Sequence, residues 1–116
     1  MLKKIHHIAI ICSDYEKSKQ FYTEILGFEI TQEVYREERQ SYKLDLSLNG
    51  NYCIELFSFP NPPKRVSQPE ACGLRHLAFE VENIESAIKM LSNHKIKTEL
   101  VRIDENTKKR FTFFED

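Results

Sequence analysis

Several features that would fix the class of this chain at once are missing from it. No run approaches the ~18 apolar residues that a membrane span needs. The first seven residues hold two lysines but no apolar stretch ahead of a cleavage site, so neither a membrane helix nor a signal peptide is expected. Cysteine is scarce: Cys12, Cys53 and Cys72 are odd in number, widely spaced and free of any Cys-x-x-Cys. That argues against a disulfide framework and for a reducing compartment. Basic charge is not in excess either. Lys and Arg number 17 against 18 Asp and Glu, a formal charge of −1, which leaves no electrostatic drive toward a nucleic acid. The expectation is a cytoplasmic protein with no nucleic-acid or membrane partner. At 116 residues, 41% of them apolar, the chain has material for a single cored domain or slightly less.

What is present is a pattern of strands and helices. Residues 5–12 form an apolar, β-rich run short enough for a buried strand. Ser13 with Glu16 fits a capping box; Tyr15, Phe21, Tyr22, Ile25 and Leu26 follow at helical spacing, and Gly27 supplies a left-handed stop. Strands are expected at 28–35, 42–48 and 52–59, the last two joined by the hairpin signal Asn49-Gly50. In the third strand Leu44, Leu46 and Leu48 alternate with Lys43, Asp45 and Ser47, which predicts one face toward water. This is βαβββ. The segment 60–73 contains Pro60, Pro62, Pro63 and Pro69 and reads as a linker. Then the order begins again, with a strand at 74–81, a helix capped by Asn83 and carrying Ile84, Ala87, Ile88 and Leu91, a strand at 96–103 and another starting at Arg110.

The repetition extends to single residues. A shift of 69 residues carries His7 onto His76, Ala9 onto Ala78 and Glu16 onto Glu85. Two βαβββ modules, 1–59 and 74–116, are therefore expected to build one α+β domain with a cupped mixed sheet. The second module lacks its last strand in this sequence; the counterpart of Glu55 would fall at about position 124, past Asp116.

Strand alternation then sorts the chemically capable residues. Leu77, Phe79 and Val81 point under a helix, leaving His76 on the opposite face; by the repeat, His7, Ala9 and Ile11 share that face. On the fourth strand Ile54 and Leu56 go to the helix side, and Cys53, Glu55, Phe57 and Phe59 to the cavity. Imidazole nitrogen and carboxylate oxygen suit borderline divalent ions, and a carboxylate on an apolar wall needs a partner. Two plainer readings stand beside a metal site. The histidines can be hydrogen-bonded core or edge residues, and Glu55 can be ion-paired to Arg36, Arg39 or Arg110. His6 aligns with Arg75 and is expected to face away. Arg36, Arg39 and Arg110 are candidates for holding a substrate carboxylate by their guanidinium forks.

The runs His7-Ile8-Ala9-Ile10, Asp14 through Phe21-Tyr22 to Ile25-Leu26-Gly27-Phe28, Ile54-Glu55-Leu56 and Arg75-His76-Leu77-Ala78-Phe79 together resemble the vicinal oxygen chelate superfamily. That superfamily includes glyoxalase I, bleomycin-resistance proteins and ring-cleaving dioxygenases. The resemblance runs in order over nearly the whole chain. It implies one divalent ion (Zn, Ni, Co, Mn or Fe) held by His7, Glu55 and His76, a homodimer, and a small substrate that chelates the ion through adjacent oxygens. Glyoxalase I-like lyase or isomerase chemistry, with Glu55 in a catalytic role, is the first expectation. An Fe(II) dioxygenase and a metal-free drug-binding protein are the alternatives. The superfamily's last strand supplies a further Glu, as ligand and base, for which this sequence has no residue.

Overall fold

The computed structural model describes residues 1–115. The chain divides into two compact units, Met1–Val66 and Ser67–Asp116, and the division falls inside the proline-rich segment expected to be a linker.

The first unit is βαβββ. Strand β1 (Ile8–Ile11) leads to helix α1 (Tyr15–Gln20), which continues as a π-helical turn (Phe21–Ile25), and then come β2 (Glu29–Arg36), β3 (Ser41–Leu48) and β4 (Asn51–Phe57). The sheet order is β1-β4-β3-β2, with β1 parallel to β4 and the other pairs antiparallel. Helix α1 is capped by Asp14, whose carboxylate accepts from the Lys17 amide at 3.2 Å, so the cap lies one residue later than the expected Ser13. Either side chain can cap, but here it is Asp14 that has extended backbone angles. The helix ends as expected: Gly27 has φ +84° and the Phe28 amide reaches back to the Tyr22 carbonyl at 2.9 Å. Asn49 and Gly50 both have positive φ, closing β3 onto β4 with a two-residue turn.

One face of this sheet meets α1. Leu44, Leu46, Ile54 and Leu56 are at most 2% exposed there, each contributing about 1.5–3 kcal/mol of burial. At the edge of that face Tyr15 stacks on Tyr42 (4.8 Å between ring centroids) and donates its hydroxyl to Glu33 on β2, while Lys19 reaches both Glu33 oxygens at 2.9 Å. The other face, called here the open face, departs from expectation. Asp45 and Ser47 are 7% and 5% exposed, so the polar side of β3 is buried rather than wet.

In the second unit Asn83 caps α2 (Ile84–Asn93), accepting from the Ser86 amide at 2.9 Å, and Leu91 is buried. The two expected strands after it meet as a short ladder of β5 (Arg102–Ile103) and β6 (Arg110–Phe111), extended by a bridge between Thr98 and Phe114. Residues 74–81, expected as a strand, form no ladder. In the first unit the equivalent strand β1 is bonded, among the described residues, to β4 alone; among the described residues the second unit has no counterpart of β4. The α+β class stands. No helix among the described residues is long and apolar enough to cross a membrane.

Glu33 ties α1 to the sheet by charge. Hydrogen bonds from Lys19 and then Tyr15 hold its carboxyl below the usual range, against the opposing effect of burial. Its contribution to stability is therefore present above the unfolded carboxylate pKa of about 4.3 and fades as pH falls through the lowered folded value. Glu33→Gln is expected to lower stability by about 1 kcal/mol at pH 7 and to lose that deficit on acidification. Urea unfolding of both proteins across this range checks it; a deficit unchanged by pH would mean that shape, not charge, matters at this position.

Candidate functional site

The open face is built by register. Ala9 of β1 lies beside Glu55 of β4, and Ile11 beside Phe57; Asp45 of β3 lies directly opposite Glu55, and Lys43 opposite Phe57. His7, two residues before Ala9, reaches the same face, and its Nε2 stands 3.5 Å from Glu55 Oε1. The other Glu55 oxygen, Oε2, accepts the Tyr52 hydroxyl and lies 3.2 Å from the Lys43 ammonium, which is also 2.7 Å from Asp45 Oδ1. Glu55 is thus ion-paired, as the plainer reading allowed, but to Lys43 rather than to an arginine.

Tyr52 owes its place to a bulge. Leu46 pairs with Ile54 but Ser47 pairs with Tyr52, so Cys53 is an extra residue with no position opposite it on β3. Strict alternation from Ile54 would send Tyr52 to the helix face; the extra residue turns it to the open face, the re-aiming that bulges next to sites commonly perform. His6 also departs from expectation. Its Nδ1 is 2.8 Å from His7 Nδ1, and both imidazoles pack beside the Tyr52 ring at 5.3 and 5.6 Å. One of the two Nδ1 atoms must donate, and a His7 that keeps a lone pair on Nε2 donates from Nδ1 to His6. Outer hydrogen bonds of this kind fix the tautomer of ligand histidines.

The electrostatics follow from these contacts. Burial alone would push the Glu55 carboxyl up. Hydrogen bonds from Tyr52 and Lys43, with the attraction of Lys43 and His7, outweigh it and hold the carboxyl below its ordinary range. The Tyr52 hydroxyl is pushed up, first by burial and then by Glu55. Lys43 is held up by Asp45 despite burial, with Glu55 adding to the effect. With His7 neutral, as a metal ligand must be, the carboxylates of Asp45 and Glu55 against the one Lys43 ammonium leave this cluster with one net negative charge. A nitrogen and an oxygen donor 3.5 Å apart beside an uncompensated negative charge fit a borderline divalent ion, whose bonds to such atoms are about 2.0–2.2 Å. Among the described residues no three His, Cys, Asp or Glu side chains form a ready-made ligand cluster; the first unit brings together His7 and Glu55 only.

Further along the same face lies a cleft of about 370 Å³ lined by Ala9, Ile11, Arg36, Arg39, Phe57 and Phe59. Arg36 of β2 lies over the ring of Phe57, which follows Glu55 by two residues on β4. In the second unit His76 is exposed and meets the Phe113 ring edge-on at 5.5 Å, and the Arg110 guanidinium is engaged by both carboxylate oxygens of Glu85. A depression of about 430 Å³ at the end of α2, lined by Ser92, Lys95, Ile96, Lys97 and Thr98, contains no carboxylate, imidazole or thiol. Size alone does not make it the reactive site.

Comparison with known proteins gives the family and the fold. Residues 4–116 match the model of the Glyoxalase/Bleomycin resistance protein/Dioxygenase superfamily. The uncharacterized protein YwkD of Bacillus subtilis is 66% identical over 116 residues, spanning 100% of this chain and 91% of its own. The mitochondrial methylmalonyl-CoA epimerase of Homo sapiens is 32% identical over 104 residues, covering 84% of this chain but 57% of the epimerase. Among solved structures, the glyoxalase family protein from Enterococcus faecalis superposes with a TM-score of 0.90 at 49% identity, over 98% of this chain and 90% of that one. A FosX variant from Listeria monocytogenes, complexed with Mn(II) and a dihydroxypropylphosphonic acid, shares the fold with a TM-score of 0.74 at 18% identity, over 100% of this chain and 86% of that one.

The Lys43 bridge generates a direct test. Lys43→Met leaves Asp45 and Glu55 facing each other without a cation and is expected to cost about 2–3 kcal/mol with chelator present, the loss being moderated by partial exposure. Asp45→Asn added to Lys43→Met should recover part of that loss. Urea unfolding of the four proteins of this cycle measures the coupling; strictly additive effects would remove the bridge from the account.

Proposed function

We infer the function of this chain from the superfamily to which it belongs: it is a member of the Glyoxalase/Bleomycin resistance protein/Dioxygenase superfamily, and its chemistry is divalent-metal-dependent proton transfer on a small substrate with two adjacent oxygens. The reading is carried by one observation, the His7 Nε2 and Glu55 Oε1 pair 3.5 Å apart over a cluster that lacks one positive charge. His7 and Glu55 hold the ion, and His76 is the further ligand of this proposal. When bound, the ion (Zn, Ni, Co, Mn or Fe) supplies the positive charge that polarises a substrate carbonyl and stabilises negative charge developing on it.

The chain's own residues divide the remaining work. Tyr52 and Lys43 fix Glu55 Oε2 and keep the carboxylate ionised, so that Oε1 is presented toward His7. The same contacts lower its proton affinity. Of the two roles open to Glu55, ligand and base, they favour the ligand, because a base works best with a pKa near the working pH. His6 orients the His7 ring through the Nδ1 contact. The reaction class is abstraction of a proton from carbon next to a carbonyl and its return. Return to the neighbouring carbon is the glyoxalase I-like isomerisation of a 2-oxoaldehyde–thiol adduct; return to the opposite face of the same carbon is epimerisation. The 32% identity to an epimerase supports the second outcome as the alternative. Assembly as a homodimer in the cytoplasm belongs to the same reading, and a sedimentation mass of one chain at micromolar concentration would remove the dimer from it.

Elemental analysis should find about one divalent ion per chain, retained in part by Glu55→Gln and lost from His7→Ala and His76→Ala. The metal-loaded protein is then incubated in deuterium oxide with methylglyoxal and a low-molecular-weight thiol, or with methylmalonyl-CoA, and followed by proton NMR. Exchange of the proton beside the carbonyl in either mixture, abolished by His7→Ala, is the expected result. Equal metal content in all four proteins would overturn the ligand set, and a metal-loaded protein that exchanges no such proton would overturn the reaction class.

A further inference from the structure

Beyond Glu55 the open face of the first unit turns from acidic to basic. Arg36 ends β2, and Arg39 closes the short 3-10 turn Glu37–Arg39 that follows. Their guanidinium carbons lie 5.4 Å from the Phe57 ring centroid and 5.1 Å from that of Phe59, and the two rings are parallel within 11° at 6.0 Å. Two like charges are thus laid on neighbouring faces of a stacked phenyl pair. Cation–π contact fixes such groups by their flat faces and leaves the N–H edges for other partners. Among the described residues neither guanidinium has an acid partner, whereas Arg102 and Arg110 are paired with Glu99 and Glu85. Arg36 Nε is buried without any hydrogen-bond partner, a state that costs stability until an acceptor arrives. Ala9 and Ile11 complete the wall of the cleft, and Ile11 leaves 59% of its surface uncovered.

We propose that this cleft is an oxyanion subsite, in which Arg36 and Arg39 hold a carboxylate or phosphoryl group whose attached apolar segment lies on Ala9 and Ile11. The juxtaposition of two guanidiniums that lack an acid partner, a buried unsatisfied donor and an exposed apolar wall in one cleft is what such a group would satisfy. A planar fork binds a carboxylate or phosphate through two parallel hydrogen bonds. Phe57 follows Glu55 by two residues on β4, a step of about 7 Å along a strand, so one molecule of modest length reaches both places. The substrate is then an oxyanion at one end and carries its reacting carbonyl at the other. That place in the reaction rests on the function proposed above; the cleft's affinity for oxyanions does not.

The test uses the full chain stripped of metal by chelator. Phenyl phosphate, phenylacetate and neutral phenylacetamide are titrated at low salt, with binding followed by calorimetry and by backbone amide shifts. Phenyl phosphate, phenylacetate or both should bind, with shifts centred on residues 36–39 and on Phe57, and phenylacetamide should not. Preference between the two anions identifies the oxyanion. Arg36→Gln and Arg39→Gln should each weaken binding about tenfold or more, as loss of a charge-assisted hydrogen bond does, and Arg36→Lys should fall between. A wild-type amide spectrum away from the cleft certifies that each variant is folded. Binding of neither anion, shifts elsewhere, or unchanged affinity in both glutamine variants would overturn the proposal. Because no metal is present, the outcome is independent of whether His7 and Glu55 bind one.

Discussion

The register of the β3–β4 hairpin sets Asp45 directly opposite Glu55 on the open face, and both are largely withdrawn from water. Two carboxylates at that spacing repel each other across a medium less polar than water, so the arrangement exists only with compensation. Lys43 supplies one ammonium to both, and Tyr52 supplies a hydroxyl to Glu55. The compensation is incomplete by one charge. In the function proposed above, that shortfall is what makes the His7–Glu55 pair a place for a cation rather than a closed structural ion pair. It also explains why a sheet with one face packed on α1 keeps a buried polar layer on the other. The apolar helix face, with Leu44, Leu46, Ile54 and Leu56, fixes the register, because a slip of one residue would exchange the two faces.

Much of this was legible in the sequence, for reasons that can be named. The parity of Ile54, Glu55 and Leu56, together with the 69-residue repeat that carries the face of His76 onto His7, puts His7 and Glu55 on one face, and Asn49-Gly50 is a turn that only a few backbone geometries permit, so the hairpin follows. What escaped has equally local causes. Tyr52 needs the bulge at Cys53, which no periodicity announces. Lys43, Asp45 and Ser47 read as a solvent face because polar residues on alternate positions usually are one; Asp45 is instead buried beside Lys43, a charge partner that it shares with Glu55 of β4. His6 was set aside because the repeat pairs it with Arg75, yet two adjacent imidazoles can meet at their Nδ1 atoms when the chain before β1 has no ladder to hold it straight. Residues 74–81 have the right alternation for a strand, but alternation fixes only which side faces inward. A strand also needs a partner for its backbone groups.

The open face carries opposite charges a short distance apart, and what keeps them from neutralising each other is physical, not accidental. Arginine side chains are long, and an ion pair from Arg36 or Arg39 to Glu55 was a reasonable expectation from the sequence. Two contacts prevent it. Lys43 already occupies the Glu55 oxygen that faces β3, and the phenyl rings of Phe57 and Phe59 hold the guanidiniums flat along the next stretch of β4. A guanidinium that left its ring for Glu55 would give up the cation–π contact and meet a carboxylate whose second oxygen is hydrogen-bonded to Tyr52. The separation is therefore maintained by aromatic side chains, and its consequence is polarity. On the two proposals above, one end of the face takes a cation and the other an oxyanion, so a molecule lying along it is oriented before any chemistry begins. Orientation of this kind supplies part of the advantage that a bound reactant has over a free one. On the same proposals, substrate choice and reaction are separable: changes at Arg36, Arg39, Phe57 or Phe59 should alter which anion is accepted and how firmly, and changes at His6, His7, Tyr52 or Lys43 should alter what is done to it.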